Sequence, residues 1–198
     1  MGHAVLEEVI ERMYEDKEEL VIAVRFRSFI LDPRTAPEGE DFEGYNIRRW
    51  GGSGWTSDLR RSAKRDGFGV SFSNWKIWPN TINAHRLLRW ARETSGRQSE
   101  GRLMGIIFKQ MYEEGENVSL PTVLVKSAER AGLSVEGTRK VLSSKEMLRE
   151  VIDEDTRAKE IDGIEGVPHF VIVADGICGS KKIHLSGAQP PEAFLRAF

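Results

Sequence analysis

The chain is 198 residues long, with 39% apolar and 30% charged residues and a formal net charge of -2. That balance fits a soluble domain, or a small domain carrying an insertion, with no electrostatic drive toward nucleic acid or an anionic membrane. One cysteine, Cys178, excludes an internal disulfide framework and a cysteine-rich metal site, and no apolar run approaches the roughly 20 residues that span a bilayer.

The acidic, amphipathic start is neither a secretory signal nor an Arg-rich transit peptide, so a reducing, cytoplasmic compartment is expected. Arg48-Arg49 and Arg60-Arg61 read as solvated helix faces rather than a binding stripe. The chain opens in a helix: Val5, Leu6, Val9, Ile10 and Met13 recur at helical spacing against Glu7, Glu8, Glu11 and Arg12. Residues 20–31 read as a strand, with Ile22, Val24 and Phe26 alternating against Ala23, Arg25 and Arg27, ended by Asp32-Pro33.

Residues 41–162 read as almost wholly helical. Ala84, Leu87, Leu88 and Ala91 form one apolar stripe, and Leu103, Ile107 and Met111 form another that stops at Gly115. Ser119-Leu120-Pro121 starts a further helix, closed by Gly132, and Ser134 caps the next. Trp50-Gly51-Gly52-Ser53-Gly54-Trp55 lacks the Lys-Ser/Thr and the preceding strand of a phosphate loop, so it reads as a helix–helix loop. Met147, Leu148, Val151 and Ile152 lie on a last helix of this block.

Strands return after Gly166. Residues 170–173 and 183–185 flank a turn at Asp175-Gly176 and read as an antiparallel hairpin. A final helix begins near Pro191 and carries Phe194, Leu195 and Phe198. His169 and His184 lie on these strands without metal-ligand spacing and are assigned no metal. Cys178 sits beside the hairpin turn with no cysteine partner and reads as incidental.

Five blocks then occur in a telling order. They are Arg25-Phe26-Arg27-Ser28-Phe29-Ile30-Leu31-Asp32-Pro33, Pro79-Asn80-Thr81 with Ala84-His85-Arg86-Leu87, the region from Phe108 to Gly115, Gly166-Val167-Pro168-His169-Phe170, and Ser186-Gly187-Ala188-Gln189-Pro190. In this order they resemble the DsbA-like thioredoxin-fold family, and within it the FrnE-type branch with a helical insertion. The resemblance implies an α/β thioredoxin-like fold, its first strand missing from this chain, with a large all-helical insertion. Residues 1–38 and 163–198 would form the thioredoxin-like domain and residues 39–162 the insertion.

The activity the resemblance implies is thiol–disulfide exchange with protein or small-molecule thiols and disulfides, with no cofactor. Members begin with a strand and Cys-Pro-Trp-Cys-Tyr-x-Gly. Met1-Gly2 aligns with the end of that motif, so the two cysteines are expected upstream and no catalytic residue is assigned within the chain. The resemblance implies a cis Val167–Pro168 bond, with Val167 offering its backbone N–H and C=O to an extended substrate. An ordinary trans proline opening a strand is the plain alternative.

Asn80 or Thr81 serves as a helix N-cap. His85, four residues after Thr81, is either a structural histidine or a cleft residue that tunes a thiol. Val167, Pro168, His85, Asn80 and Thr81 are therefore the candidate substrate-binding residues. Two alternatives stand beside the leading one: a glutathione-using relative of the kappa-class transferases or hydroxychromene-carboxylate isomerases, and a non-catalytic thioredoxin-like module that binds extended peptides. Without the family's central first strand, the two strands that flank it would carry unpaired edges. At roughly 1–3 kcal/mol per buried unpaired group, against a stability of about 5–15 kcal/mol, residues 1–198 alone are expected to be insoluble or molten. A cooperative thermal transition of the purified chain would overturn that expectation.

Overall fold

The computed structural model describes residues 2–16, 21–65, 74–176 and 179–198. Its elements in chain order are α1 (Gly2–Asp16), β1 (Glu40–Asp41), α2 (Phe42–Trp50), α3 (Gly54–Arg65), β2 (Ile77–Trp78), α4 (Ile82–Lys109), a π-helical turn (Gln110–Glu114), α5 (Pro121–Arg130), α6 (Val135–Ser143), α7 (Leu148–Thr156), a second π-helical turn (Arg157–Ile161), β3 (His169–Gly176), β4 (Gly179–Ser186) and α8 (Pro191–Leu195). They divide into two units, Met1–Arg25 with Arg157–Phe198, and Phe26–Thr156. Residues 26–38 thus belong with the larger, helical unit, and residues 157–162 with the smaller one. No helix among the described residues is long and apolar enough to cross a membrane.

In the smaller unit the helical spacing of Val5, Val9 and Met13 gives α1 one buried face. That helix packs with α8, whose Phe194 is fully buried. Phe194 meets Phe170 of β3 edge to face, ring centroids 4.8 Å apart. β3 and β4 form an antiparallel hairpin with His169 opposite Ser186, Val171 opposite His184 and Val173 opposite Lys182. The ladder is longer at both ends than the alternation over 170–173 and 183–185 indicates. Ile172 is buried while Val171 and Val173 are exposed, the two-residue period of a strand. The hairpin tip at Ile177 and Cys178 lies outside the described residues.

The larger unit is built around α4, which contacts α5, α6 and α7. The first apolar stripe and Leu103 and Ile107 of the second lie on this element, with Met111 in the π-helical turn that follows; α4 is interrupted at Gly96, where φ is 83°. A side chain at that position would be strained in the left-handed region, so a glycine there lets one chain segment supply two core-facing helices. Leu87, Ala91, Leu103 and Ile107 from α4 meet Val123, Leu124 and Ala128 from α5 and Val141 from α6 in one core. An aromatic group closes one end, with the Tyr45 and Trp78 rings stacked at 4.1 Å and Phe42 edge-on to Trp75 at 5.2 Å. β1 and β2 pair over two residues each, Glu40 with Trp78 and Asp41 with Ile77. Such short strands have no readable alternation, and they lie inside a block that reads as helical. Ser134 caps α6 by accepting a hydrogen bond from the Gly137 N–H, and Pro121 stands at the start of α5. The Trp50 to Trp55 segment joins α2 to α3 through Gly51 in the left-handed conformation.

The strand expected over residues 20–31 has no ladder among the described residues: 21–30 carry no strand pairing. In the larger unit, side chains stand in for a neighbouring strand. The Glu154 carboxylate accepts from the Ser28 N–H (3.1 Å) and Ser28 Oγ (3.0 Å), and Asp155 accepts from the Ile30 N–H at 2.7 Å. Arg92 donates to the Phe26 carbonyl, and Arg27 and Arg89 both pair with Glu154. Burial by itself would push the Glu154 carboxyl up, but the hydrogen bonds from Arg27 and Ser28 outweigh it and hold it low. At the end of this segment the buried Asp32 carboxylate is clasped by Arg34 (2.9 Å) and Arg48 (3.1 Å).

All five tryptophans lie in the larger unit, so their fluorescence during urea unfolding reads its stability. Buried Arg86 donates to the carbonyls of Glu146, Val141 and Ser144 and to Asn83, pinning the connection between α6 and α7. Arg86→Met removes all four of these hydrogen bonds, the one to Val141 buried, and should destabilise the unit by about 2–4 kcal/mol. Hydrogen bonds from Arg34, opposed by burial, depress the Asp32 carboxyl well below the usual carboxylate range. Its contribution is therefore present above the unfolded value of about 3.9 and lost as the pH falls through the depressed folded value. Asp32→Asn should lower stability at pH 7 and flatten the loss seen in urea titrations below about pH 4; an unchanged acid limb would contradict the assignment.

Candidate functional site

The smaller unit brings the first turn of α1 against the segment that precedes β3. Gly2 is buried there, and a Cβ on it would lie 3.0 Å from both Pro168 Cγ and Phe170 Cζ. A side chain here would press on both rings, so a glycine suits the close approach. The Val167–Pro168 peptide bond is cis. Val167 itself is 55% exposed, and among the described residues of its unit neither its N–H nor its C=O has a hydrogen-bond partner. The Pro168 carbonyl accepts from the Gly187 N–H at 2.8 Å, which ties the Ser186-Gly187-Ala188-Gln189 block to the proline segment. Gln189 closes that block by donating to the Ser186 carbonyl at 2.6 Å.

His3 lies in the first turn of α1, 3.3 Å from Glu7. Burial lowers its pKa, with Glu7 acting against that. The N-terminal turn of a helix presents unpaired N–H groups and the positive end of the helix dipole. A thiol placed there would be acidified and made a better nucleophile at neutral pH. Beside it, an extended peptide could pair with the open backbone groups of Val167. The site therefore supports recognition of an extended chain next to an activated sulfur. The single cysteine of the sequence, Cys178, lies outside the described residues.

Asn80, Thr81 and His85 belong to the larger unit, whereas Val167 and Pro168 belong to the smaller one. Thr81 is the N-cap residue of α4 but makes no side-chain capping bond. Asn80 does that work: its carboxamide oxygen accepts from the Ile82 N–H at 3.0 Å and its nitrogen donates to the Thr35 carbonyl at 2.9 Å. Its own N–H donates to Ser119 Oγ at 2.7 Å. His85 Nε2 lies 3.2 Å from the Phe29 carbonyl oxygen, and burial lowers its pKa against that hydrogen bond. The ring borders a small cavity of about 10 Å³, shared with Ser28, Arg89, Glu100 and Glu154 and no larger than one water requires. Glu100 is 2% exposed there, and burial raises its pKa, with Arg92 opposing.

One cluster on the hairpin was invisible in the sequence. His169 Nε2 lies 3.1 Å from His184 Nδ1, and Ser186 Oγ lies 2.9 Å from His169 Nδ1. Fifteen residues separate the two histidines, and only the strand register makes them neighbours. Among the described residues no group of three or more His, Cys, Asp or Glu side chains is placed to hold a metal ion.

Among solved structures, a probable DsbA oxidoreductase from Streptomyces coelicolor is 25% identical, with a TM-score of 0.77 over 99% of this chain and 81% of that one. A candidate protein disulfide isomerase from Nitrosomonas europaea is 17% identical, with a TM-score of 0.70 over 99% of this chain and 89% of that one, a likeness of fold. No curated protein matches the sequence. A family profile described as DSBA-like thioredoxin domain matches residues 3–198, nearly the whole chain, and the chain therefore belongs to the DSBA-like thioredoxin domain family.

Proposed function

We propose that the chain is the scaffold of a FrnE-type thiol–disulfide oxidoreductase that works in a reducing, cytoplasmic compartment on protein or small-molecule thiols and disulfides. The observation that carries this reading is the contact of Gly2 with Pro168 and Phe170, which sets the start of α1 beside the open backbone of Val167. Membership of the DSBA-like family and the likeness to the Streptomyces protein support it. In the reaction a thiolate attacks one sulfur of a substrate disulfide, forms a mixed disulfide and expels the other sulfur as thiolate. A second cysteine then attacks the mixed disulfide and releases the reduced substrate. The chain's share is to hold the substrate backbone at Val167 and to acidify a thiol at the helix start. The reaction uses a pair of thiols, whereas the chain has a single cysteine.

A chimera tests this division of labour. A strand-forming segment followed by Cys-Pro-Trp-Cys-Tyr, joined directly ahead of Met1, would place a sulfur pair at the start of α1. It should reduce insulin in the presence of a thiol reductant where the 198-residue chain does not. Pro168→Ala in the chimera loosens the segment that packs on Gly2 and should slow turnover by about tenfold or more. A folded chimera no faster than the parent would sink the reading, and unchanged kinetics in the Pro168→Ala chimera would remove that residue from it.

A further inference from the structure

We propose that His169 and His184 form a two-imidazole site for a divalent first-row cation such as Zn2+, with Ser186 fixing the ring of His169. The facing nitrogens, His169 Nε2 and His184 Nδ1, are 3.1 Å apart. With metal–nitrogen bonds of about 2.0–2.1 Å, two imidazole ligands stand about 2.9 Å apart at a right angle and about 3.3 Å apart at a tetrahedral angle. The observed separation falls between the two, but with the ring centroids 5.4 Å apart the facing nitrogens point along the line that joins the rings. A cation bound to both lies about 40° off that line, so its entry turns each ring by roughly that angle while the backbone stays in place. Imidazole suits Zn2+ and its neighbours in the first row.

The protons also permit it. In the metal-free pair a single N–H lies between the two facing nitrogens. Ser186 Oγ, 2.9 Å from His169 Nδ1, can accept a proton on that nitrogen instead. His169 then carries its proton on Nδ1 and His184 carries its own on Nε2. Both facing nitrogens present lone pairs, and neither neutral ring gains or loses a proton overall. A hydrogen bond of this kind on the far nitrogen commonly fixes the tautomer of a ligating histidine.

The backbone supplies rigidity, because His169 pairs with Ser186 and His184 with Val171 in one ladder. His184 and Ser186 are exposed, so water can reach the cation and complete its shell. Lys182, the next residue of β4 on this face, is exposed and opposite Val173, one pair further from His169. None of the residues assigned to substrate binding takes part, so the site stands or falls apart from the exchange chemistry.

Zinc chloride is titrated at pH 7.5 into the 198-residue chain in competition with a chromophoric zinc indicator. The same titration on the chimera described above, with serine in place of both added cysteines so that no introduced thiol binds zinc, keeps the test decisive should the chain alone fail to fold. One equivalent should bind. His169→Gln and His184→Gln should each weaken it at least about tenfold, and Ser186→Ala by about tenfold. His184 is exposed, so its substitution leaves the core of the unit alone. No binding by the parent protein, or equal affinity in His184→Gln, overturns the proposal, whether or not the chimera reduces insulin.

Discussion

A backbone N–H that leaves water must find an acceptor, and an extended segment without a neighbouring strand has nowhere ordinary to look. In the larger unit that need is met by consecutive carboxylates at the end of α7. Glu154 takes the Ser28 N–H and Asp155 takes the Ile30 N–H, while Arg92 supplies a donor to the Phe26 carbonyl. Helices α4 and α7 therefore flank residues 26–30 with side-chain charge instead of strand backbone. The arrangement explains why this segment belongs with the helices, although its sequence alternates like a strand. Putting charges here requires counter-charges, and Arg27 and Arg89 supply them on Glu154. Removing one partner of such a set leaves another buried and uncompensated.

The same logic of satisfying groups that cannot reach water runs through the motif residues. Asn80, read as a candidate for substrate contact or for capping, spends its carboxamide on the Ile82 N–H and the Thr35 carbonyl. Arg86 spends its guanidinium on carbonyls at the end of α6 and beyond. Residues that sit together in one family motif can thus have quite different work. Around the proline segment of the smaller unit the case is reversed: Val167 keeps its backbone groups open, as a site that recognises an extended chain requires.

Much of the fold was legible because periodicity survives in isolation. The α1 stripe of Val5, Val9 and Met13, the stop at Gly132, the cap at Ser134 and the hairpin after Gly166 each follow from local chemistry. Other features were not legible, for identifiable reasons. β1 and β2 are two residues long, too short to alternate. The break at Gly96 looks in sequence like any helical glycine, and its φ of 83° is a matter of how two stripes meet one core. The extended run over residues 21–30 was read correctly as alternating, but alternation cannot say whether a partner strand exists.

The sequence by itself determined the family, through five short blocks in a fixed order, and the amphipathic faces that bury each helix. It also determined that a single cysteine, Cys178, is present, which excludes a disulfide within the chain. Tertiary structure alone decided which residues meet. Gly2 touches Pro168 and Phe170 across most of the chain length, Glu154 reaches Ser28, and His169 faces His184 because the β3–β4 register makes them diagonal neighbours. The physical reason is the range of the forces. Propensity, capping and periodicity act within a few residues and are written in order along the chain, whereas a ligand pair or a close approach depends on packing that joins positions far apart in that order.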